Sequence, residues 1–472
     1  MVMRESASSQ KGWRVLIVTT SCGGGHWQAA NAKEADILHR NPRAVVIKKD
    51  IAFTPCKSVG RAVTFFWHLL QTKGWVRGLH FAVDKLLFPF DILFYPVHFA
   101  WMSRILTRYD IDEIFDTQPL GLSGFLAAIR WVSRRKKKQI PFNKIITEFP
   151  SDSLYFFSPI KKLSKRQSRL VNLVTVPPLI RSPHHTEAMF WEKACRLPMS
   201  AVRYEALPIR RGFVPYQRRI RRHDEEIKVQ IRYNHWEEKR LAIRAVERGD
   251  YGQVRWEHNQ LFLRIAPEHK VSTLLLGSQP TNRAVLEYVK NFLTMAQQAL
   301  TIDHPPYLLF VFCKTHRDGK NRLLEQICDL IQLAPCCAAR LTIVPMSFQN
   351  DETIAALFYR SDATITRSGG ITAMELLSVV QGQIWIHSEV KEGVREEEAL
   401  VRGMPMWESY NALYLKKKKG ARFITPALFP EQFSSFFSLT EGAARIDEQP
   451  CGTLSSLLCA NRLMNNIPKF SP

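Results

Sequence analysis

Among 472 residues there is no CxxC pair, and the nine cysteines are scattered and odd in number. That pattern fits reduced thiols rather than a disulfide framework, so a cytoplasmic setting is expected. No apolar run free of charge reaches the ~18 residues of a spanning helix, and the opening MVMRESASSQKGW is polar, without the apolar stretch of a signal peptide. The chain is therefore expected to carry neither an export signal nor a bilayer span. His, Asp and Cys nowhere gather at metal-ligand spacing; His184 and His185 in SPHHTEAMF have no third partner. No metal and no cofactor is expected. Acidic residues are scarce: 43 Asp+Glu face 66 Lys+Arg, for a net charge of +23. Such a field draws nucleic acid, anionic membrane or phosphorylated small molecules. No nucleic-acid module accompanies the runs RRKKK (Arg134 to Lys138), RRIRR (Arg218 to Arg222) and KKKK (Lys416 to Lys419), so they read as solvated faces and no nucleic-acid partner is expected.

What is present is an ordinary globular composition, 46% hydrophobic and 23% charged, in a chain longer than the ~250 to 300 residues at which one core usually stops growing. Two domains follow. Strand-like runs alternate with helical patterns in two blocks. The first holds WRVLIVTT, AVVIKKD, DEIFD, KIITEF and LVNLVTV; the second holds VSTLLLG, YLLFVFC, RLTIVP, DATITR and GQIWIH. This is the βα rhythm of parallel sheets, and the near-continuous apolar runs require helices on both faces. The expected fold class is α/β with two doubly wound, Rossmann-like domains. Residues 1–209 form the first and 271–450 the second. A linker with a charged helical insertion occupies 210–270, and a helix at about Leu454 to Asn466 sits in the tail, 451–472.

Val59 to Leu106 departs from this rhythm. Phe65, Phe66, Trp67, Trp75, Phe81, Phe88, Phe90, Phe94, Tyr95, Phe99 and Trp101 are interspersed with Lys73, Arg77, Lys85 and Arg104. Aromatics with nearby cations suit a membrane interface; a bulky helical pair in the core is the alternative. Asp91, Pro89 and Pro96 argue against a span.

Three strand-to-helix junctions are rich in glycine. In LIVTTSCGGGHWQAA the strand stops at Gly23, Gly24 and Gly25 and a helix restarts with His26. Bare backbone N–H groups at a helix start favour an anionic or hydroxyl-rich guest, although a tight turn alone would also use these glycines. The pattern is neither GxGxxG nor the GK[ST] of a phosphate loop. LLLGSQPTNRAVLEYV places Gly277 and Ser278 after a strand, and DATITRSGGITAMELLS places Ser368, Gly369 and Gly370 before a helix carrying Glu375. A helix from about Ile371 puts Glu375 one turn in, where a carboxylate reaches ribose hydroxyls while the glycine amides meet phosphate. Together these outline a nucleoside-diphosphate pocket.

GGGH, LPIR at Leu207 to Arg210, RSGGITAME at Arg367 to Glu375 and ESYNAL at Glu408 to Leu413 occur in the order and approximate spacing of two-domain (GT-B) glycosyltransferases. The chain resembles the branch containing monogalactosyldiacylglycerol synthases and the peptidoglycan N-acetylglucosaminyltransferase. The resemblance implies two domains facing a cleft and transfer of a hexose, with inversion, from a nucleotide-diphosphate sugar such as a UDP-sugar. The acceptor it implies is a hydroxyl of a lipid such as diacylglycerol. It further implies donor contacts at Gly24, Gly25, Arg210, Gly277, Ser278, Arg367, Ser368, Gly369 and Gly370, ribose contact at Glu375, and sugar contacts at Glu408 and Asn411. His26 is the candidate base, and Glu148 in ITEF a second candidate that would orient His26 or activate the acceptor. Read from the residues alone, His26 could merely hold the glycine loop, and Glu375, Glu408 and Asn411 could be ordinary helix residues.

The positive charge and the aromatic segment place the expected site of action on the inner face of an anionic membrane. Departures from the family pattern are Ala206 in place of a glycine, VQG at Val380 to Gly382, Trp407 in place of a glutamine, and the extra segment SEVKEGVREEEALVRGMPM. These leave diphosphate binding intact and the sugar open. They also leave open an inactive nucleotide- or membrane-binding protein, or a nucleotide-sugar epimerase.

Overall fold

The computed structural model describes residues 12–437, apart from 22–23, 52–56, 74, 151–157, 181–183, 206–208, 218, 223, 250, 252–253, 278–280, 300–304, 314–320, 335–339, 348 and 391–392. The expected tail helix and the residue Ser278 lie outside the described residues.

The first block folds into six parallel strands: β1 (Arg14–Thr19), β2 (Val45–Asp50), β3 (Glu113–Asp116), β4 (Phe142–Ile145), β5 (Val171–Thr175) and β6 (Val202–Tyr204), in the order β2-β1-β3-β4-β5-β6. Along β1, Val15 and Ile17 enter one core layer and Leu16 and Val18 the other, all fully buried. This is why the run reads as unbroken apolar sequence. β4 starts two residues earlier than KIITEF and ends at Ile145, which releases Thr147, Glu148 and Phe149 from the ladder into the loop beyond it. The strand β6 had no signal, being three residues long.

Helices α1 (Gly24–Arg40), α2 (Lys57–Thr72), α3 (Val76–Phe81), α4 (Leu87–Leu93), α5 (Tyr95–Tyr109) and α6 (Leu122–Lys136) include those that cover this sheet. Met102 and Leu106 of α5 pack into the core with Phe125 and Leu126 of α6. By contrast, α2 to α4 leave Phe65, Phe66, Trp75, Phe81, Ile92 and Leu93 exposed, Phe65 at 65% and Phe81 at 60%. Asp91 in this segment faces inward. Its carboxylate accepts from Gly121 N–H and Ser123 Oγ at the start of α6, where a helix favours negative charge. No helix among the described residues is long and apolar enough to cross a membrane.

Residues 210–270 correct the expected helical insertion. The described residues there form a three-stranded antiparallel sheet, β7 (Ile227–Arg232), β8 (Val254–Glu257) and β9 (Gln260–Ile265), ordered β7-β9-β8, with the helix α7 (Trp236–Glu247) and a short 3-10 turn at Arg211–Tyr216. IKVQIR and QLFLRI alternate with period two, and the buried residues Ile227, Val229, Ile231, Leu261, Leu263 and Ile265 fill one face. Their dense charges lie on the other face and masked the period. The unit joins the second domain: Tyr233 Oη donates to Pro345 O and Ser347 Oγ to Glu238.

The second domain has β10 (Lys270–Leu275), β11 (Tyr307–Phe312), β12 (Leu341–Met346), β13 (Ala363–Thr366), β14 (Gln383–His387) and β15 (Arg422–Ile424), all parallel in the order β12-β11-β10-β13-β14-β15. Three helices matter for the site: α8 (Asp351–Arg360), α9 (Gly370–Val379) and α10 (Met406–Lys419). Two of the basic runs become intelligible here. Arg134 to Lys136 and Lys416 to Lys419 fill the last turns of α6 and α10, where cations meet the helix's negative end. The chain thus holds two doubly wound, Rossmann-like α/β domains.

Candidate active site

Each sheet reverses its strand order once, between β1 and β3 in the first and between β10 and β13 in the second. Beyond the carboxyl ends of strands at such a reversal, adjoining helices leave on opposite faces and a crevice opens. Gly24, Gly25 and His26 follow β1, and Thr117 follows β3; Gly277 follows β10, and Arg367 to Gly370 follow β13. The two crevices meet. A side chain at Gly370 would strike Thr147 O at 1.7 Å and Glu148 Oε2 at 2.7 Å.

His26 lies in the first turn of α1 and its ring is fixed from two strands. Nδ1 is 2.6 Å from Thr117 O and 3.2 Å from Thr147 Oγ1. A carbonyl only accepts, so Nδ1 carries the proton and Nε2 keeps its lone pair. Thr19 Oγ1 donates to His26 O at 2.9 Å, tying the first turn to the end of β1. Burial pushes the imidazole down to about 4; the Thr117 bond opposes this and the Lys144 charge adds to it. Lys144 is itself buried, 2.8 Å from Asp116. Glu148 does not orient His26, because Thr117 has that place and Glu148 is turned to the other domain.

Glu148 takes hydrogen bonds from Asn411 Nδ2 on α10 and from the Gly370 N–H at the start of α9. Asn411 is fully committed: Nδ2 also donates to Ser368 O at 2.7 Å, and Oδ1 accepts from Phe149 N–H at 2.9 Å. Phe149 stacks on Tyr414, ring centroids 4.2 Å apart. Burial raises the Glu148 carboxyl to about 8, with the nearby Glu408 adding to the rise and the two hydrogen bonds opposing it.

Two expected sugar and ribose contacts are occupied by arginines. Glu375 is wholly buried, and both its oxygens accept from Arg210 at 2.6 Å; Arg210, 6% exposed, also reaches Asp351 at 3.1 Å. Burial alone would lower the guanidinium, but Glu375 and Asp351 outweigh it and hold it charged. Glu408 is likewise gripped at both oxygens by Arg367, at 2.9 and 3.0 Å, while Ser368 Oγ donates to Glu408 O. These pairs, not open hydroxyl-binding positions, are what the structure builds from Glu375, Glu408, Arg210 and Arg367. Asn411 joins the interdomain contact instead.

Gly25 and Gly277 have open space where a side chain would stand, and Gly277 adopts φ +81°, a left-handed conformation that favours glycine. Gly24 begins α1. Gly369 is the residue before α9 and is also open where a Cβ would stand. Residues that sequence reading missed are Thr117, Thr147, Lys144, Asp351 and Glu389. Glu389 follows β14, accepts from Thr281 Oγ1 at 2.6 Å and lies 3.3 Å from His387. Burial would raise its carboxyl, but His387, Thr281 and Arg367 bring it down to about 2. Its stretch was read as an extra segment outside the family pattern, which hid it. Among the described residues no group of three His, Cys, Asp or Glu side chains is arranged to hold a metal ion.

No protein-family model and no curated protein matches the chain. Among solved structures it is similar to MurG of Acinetobacter baumannii, at 14% identity over 90% of each chain with a TM-score of 0.44. It is similar to the glycotransferase of kitacinnamycin, at 12% identity over 96% of this chain and 95% of that one, TM-score 0.46. A third is the UDP-forming α,α-trehalose-phosphate synthase of Burkholderia xenovorans in complex with glucose-6-phosphate, at 11% identity over 91% and 93%, TM-score 0.44. Likeness at this level is one of chain path, and the two-domain fold rests on the strand orders given above.

Proposed function

We propose that the protein is an inverting glycosyltransferase that moves a hexose from a nucleotide-diphosphate sugar, such as a UDP-sugar, to a lipid hydroxyl at the cytoplasmic face of a membrane. The observation that carries this reading is the meeting of two switch-point crevices, one presenting a neutral His26 and the other the N-terminus of α9. In this reading His26 Nε2 takes the proton from the acceptor hydroxyl as its oxygen bonds to the anomeric carbon. The bond from that carbon to the phosphate oxygen breaks, and its electron pair leaves on the nucleoside diphosphate. Charge growing there is met by the N–H groups at the N-terminus of α9.

The exposed aromatics of α2 to α4, flanked by the exposed Lys73, Arg77 and Lys85, support a lipid acceptor and a peripheral membrane position. The test measures nucleoside-diphosphate release from a panel of nucleotide-sugars with diacylglycerol in anionic vesicles. Release that needs both donor and lipid supports the reading, and consumption of donor without acceptor points to epimerisation. A second reading, a binding protein without turnover, draws on the arginines that close Glu375 and Glu408. It requires donor-induced thermal stabilisation with no release.

A further inference from the structure

The loop after β4 does more than border the cleft. Thr147 O lies against Gly370, Glu148 accepts from Gly370 N–H and Asn411 Nδ2, and Phe149 both donates to Asn411 Oδ1 at 2.9 Å and stacks on Tyr414. Three consecutive residues of the first domain thus fasten onto α9 and α10 of the second. The group seated at the N-terminus of α9 is a carboxyl, whose oxygens accept hydrogen bonds there as the oxygens of a phosphate would. We propose that Thr147 to Phe149 form an interdomain latch in which Glu148 holds the place of the donor's phosphate on α9, so that donor entry requires the latch to withdraw. This rests on the reading of α9 as the pyrophosphate site.

The latch is sensitive to pH. Charged groups around Glu148 are Glu408 on α10, its partner Arg367 ahead of α9, and His26 on α1 beside Thr147. His26, at about 4, stays neutral above that pH. Glu148 moves from an ordinary 4.5 when withdrawn to about 8 when seated, so closing takes up a proton. Closure is therefore strongest at low pH and weakens by up to about tenfold per pH unit between these two values, after which it changes no further. Glutamine at this position imitates the protonated acid at every pH, and alanine removes the plug.

The experiment measures UDP-glucose binding to the full chain by calorimetry at pH 5 to 8.5, for wild type, Glu148→Gln and Glu148→Ala. Small-angle scattering without nucleotide follows the same series. Wild type should bind at least tenfold more tightly at pH 8 than at pH 5. Glu148→Gln should bind weakly and Glu148→Ala tightly, both independently of pH. In scattering, wild type should expand with rising pH, the glutamine variant stay compact and the alanine variant stay expanded. Equal affinities for the two variants, or scattering that ignores pH and substitution, overturns the latch. Scattering that behaves as stated while no variant binds any UDP-sugar leaves the latch standing and overturns the donor reading.

Discussion

At the scale of single residues, His26 and Glu375 divide chemistry from architecture. Because the folded chain holds His26 near 4 rather than 6.5, the unfolded chain takes up a proton between those values that the folded one refuses. Stability from this group is thus present above pH 6.5 and is lost as pH falls toward 4. The same shift keeps Nε2 able to accept a proton across that window. His26→Ala should lower kcat by about 10²- to 10⁴-fold while keeping donor-induced thermal stabilisation, and the wild-type acid limb of kcat at saturating donor should fall below pH 5 instead of near 6.5. Glu375→Gln should cost about 3–5 kcal/mol in urea unfolding, since it leaves Arg210 buried with Asp351 alone. Loss measured without donor would identify the pair as architectural; an unchanged midpoint would restore Glu375 to the ribose. None of these pairings was legible in sequence. Arg210 and Glu375 are 165 residues apart, and Asn411 and Phe149 are 262 apart, so no local spacing signals them.

Elements were legible where one physical pattern dominated. The buried strands β1 and β11 have almost no polar residue to blur them, and the turn before α9 was placed to within a residue because two glycines follow an apolar strand. Strands β6 and β15 span three residues, too few for any period to emerge. In β7 to β9 the charges on the outer face imitated a solvated helix. At this scale Gly370 is the informative position. Gly370→Ala would drive a methyl into Thr147 O, so the two domains must part. Scattering should show an expanded particle at every pH, while circular dichroism keeps the helical content of α9 and its neighbours.

At the scale of the whole molecule, one stretch of the chain concentrates exposed aromatics. Phe65, Phe66, Trp75 and Phe81 are exposed, as are Lys73, Arg77 and Lys85 among them, and Trp131 on α6, with Arg135 over its ring, is a further exposed aromatic. Purified protein should float with anionic vesicles at low salt, with ~1 kcal/mol contributed by each basic residue near the surface. Raising salt, or replacing Phe65, Phe66 and Phe81 with serine, should return it to the soluble fraction; flotation unaffected by both would remove the lipid argument. Composition singled out this segment but could not say which of its aromatics point outward, because that depends on how the helices pack; Phe65 is exposed while Leu79 is buried.

Trp67 on α2 stacks on Trp407 at the head of α10, ring centroids 5.8 Å apart, and His80 accepts from Met406 N–H beside it at 2.9 Å. The indole pair spans the same gap as Glu148, so the chain carries its own optical gauge. Subtracting the emission of a Trp67→Phe variant isolates its signal, and domain parting can be followed in real time without attaching a dye.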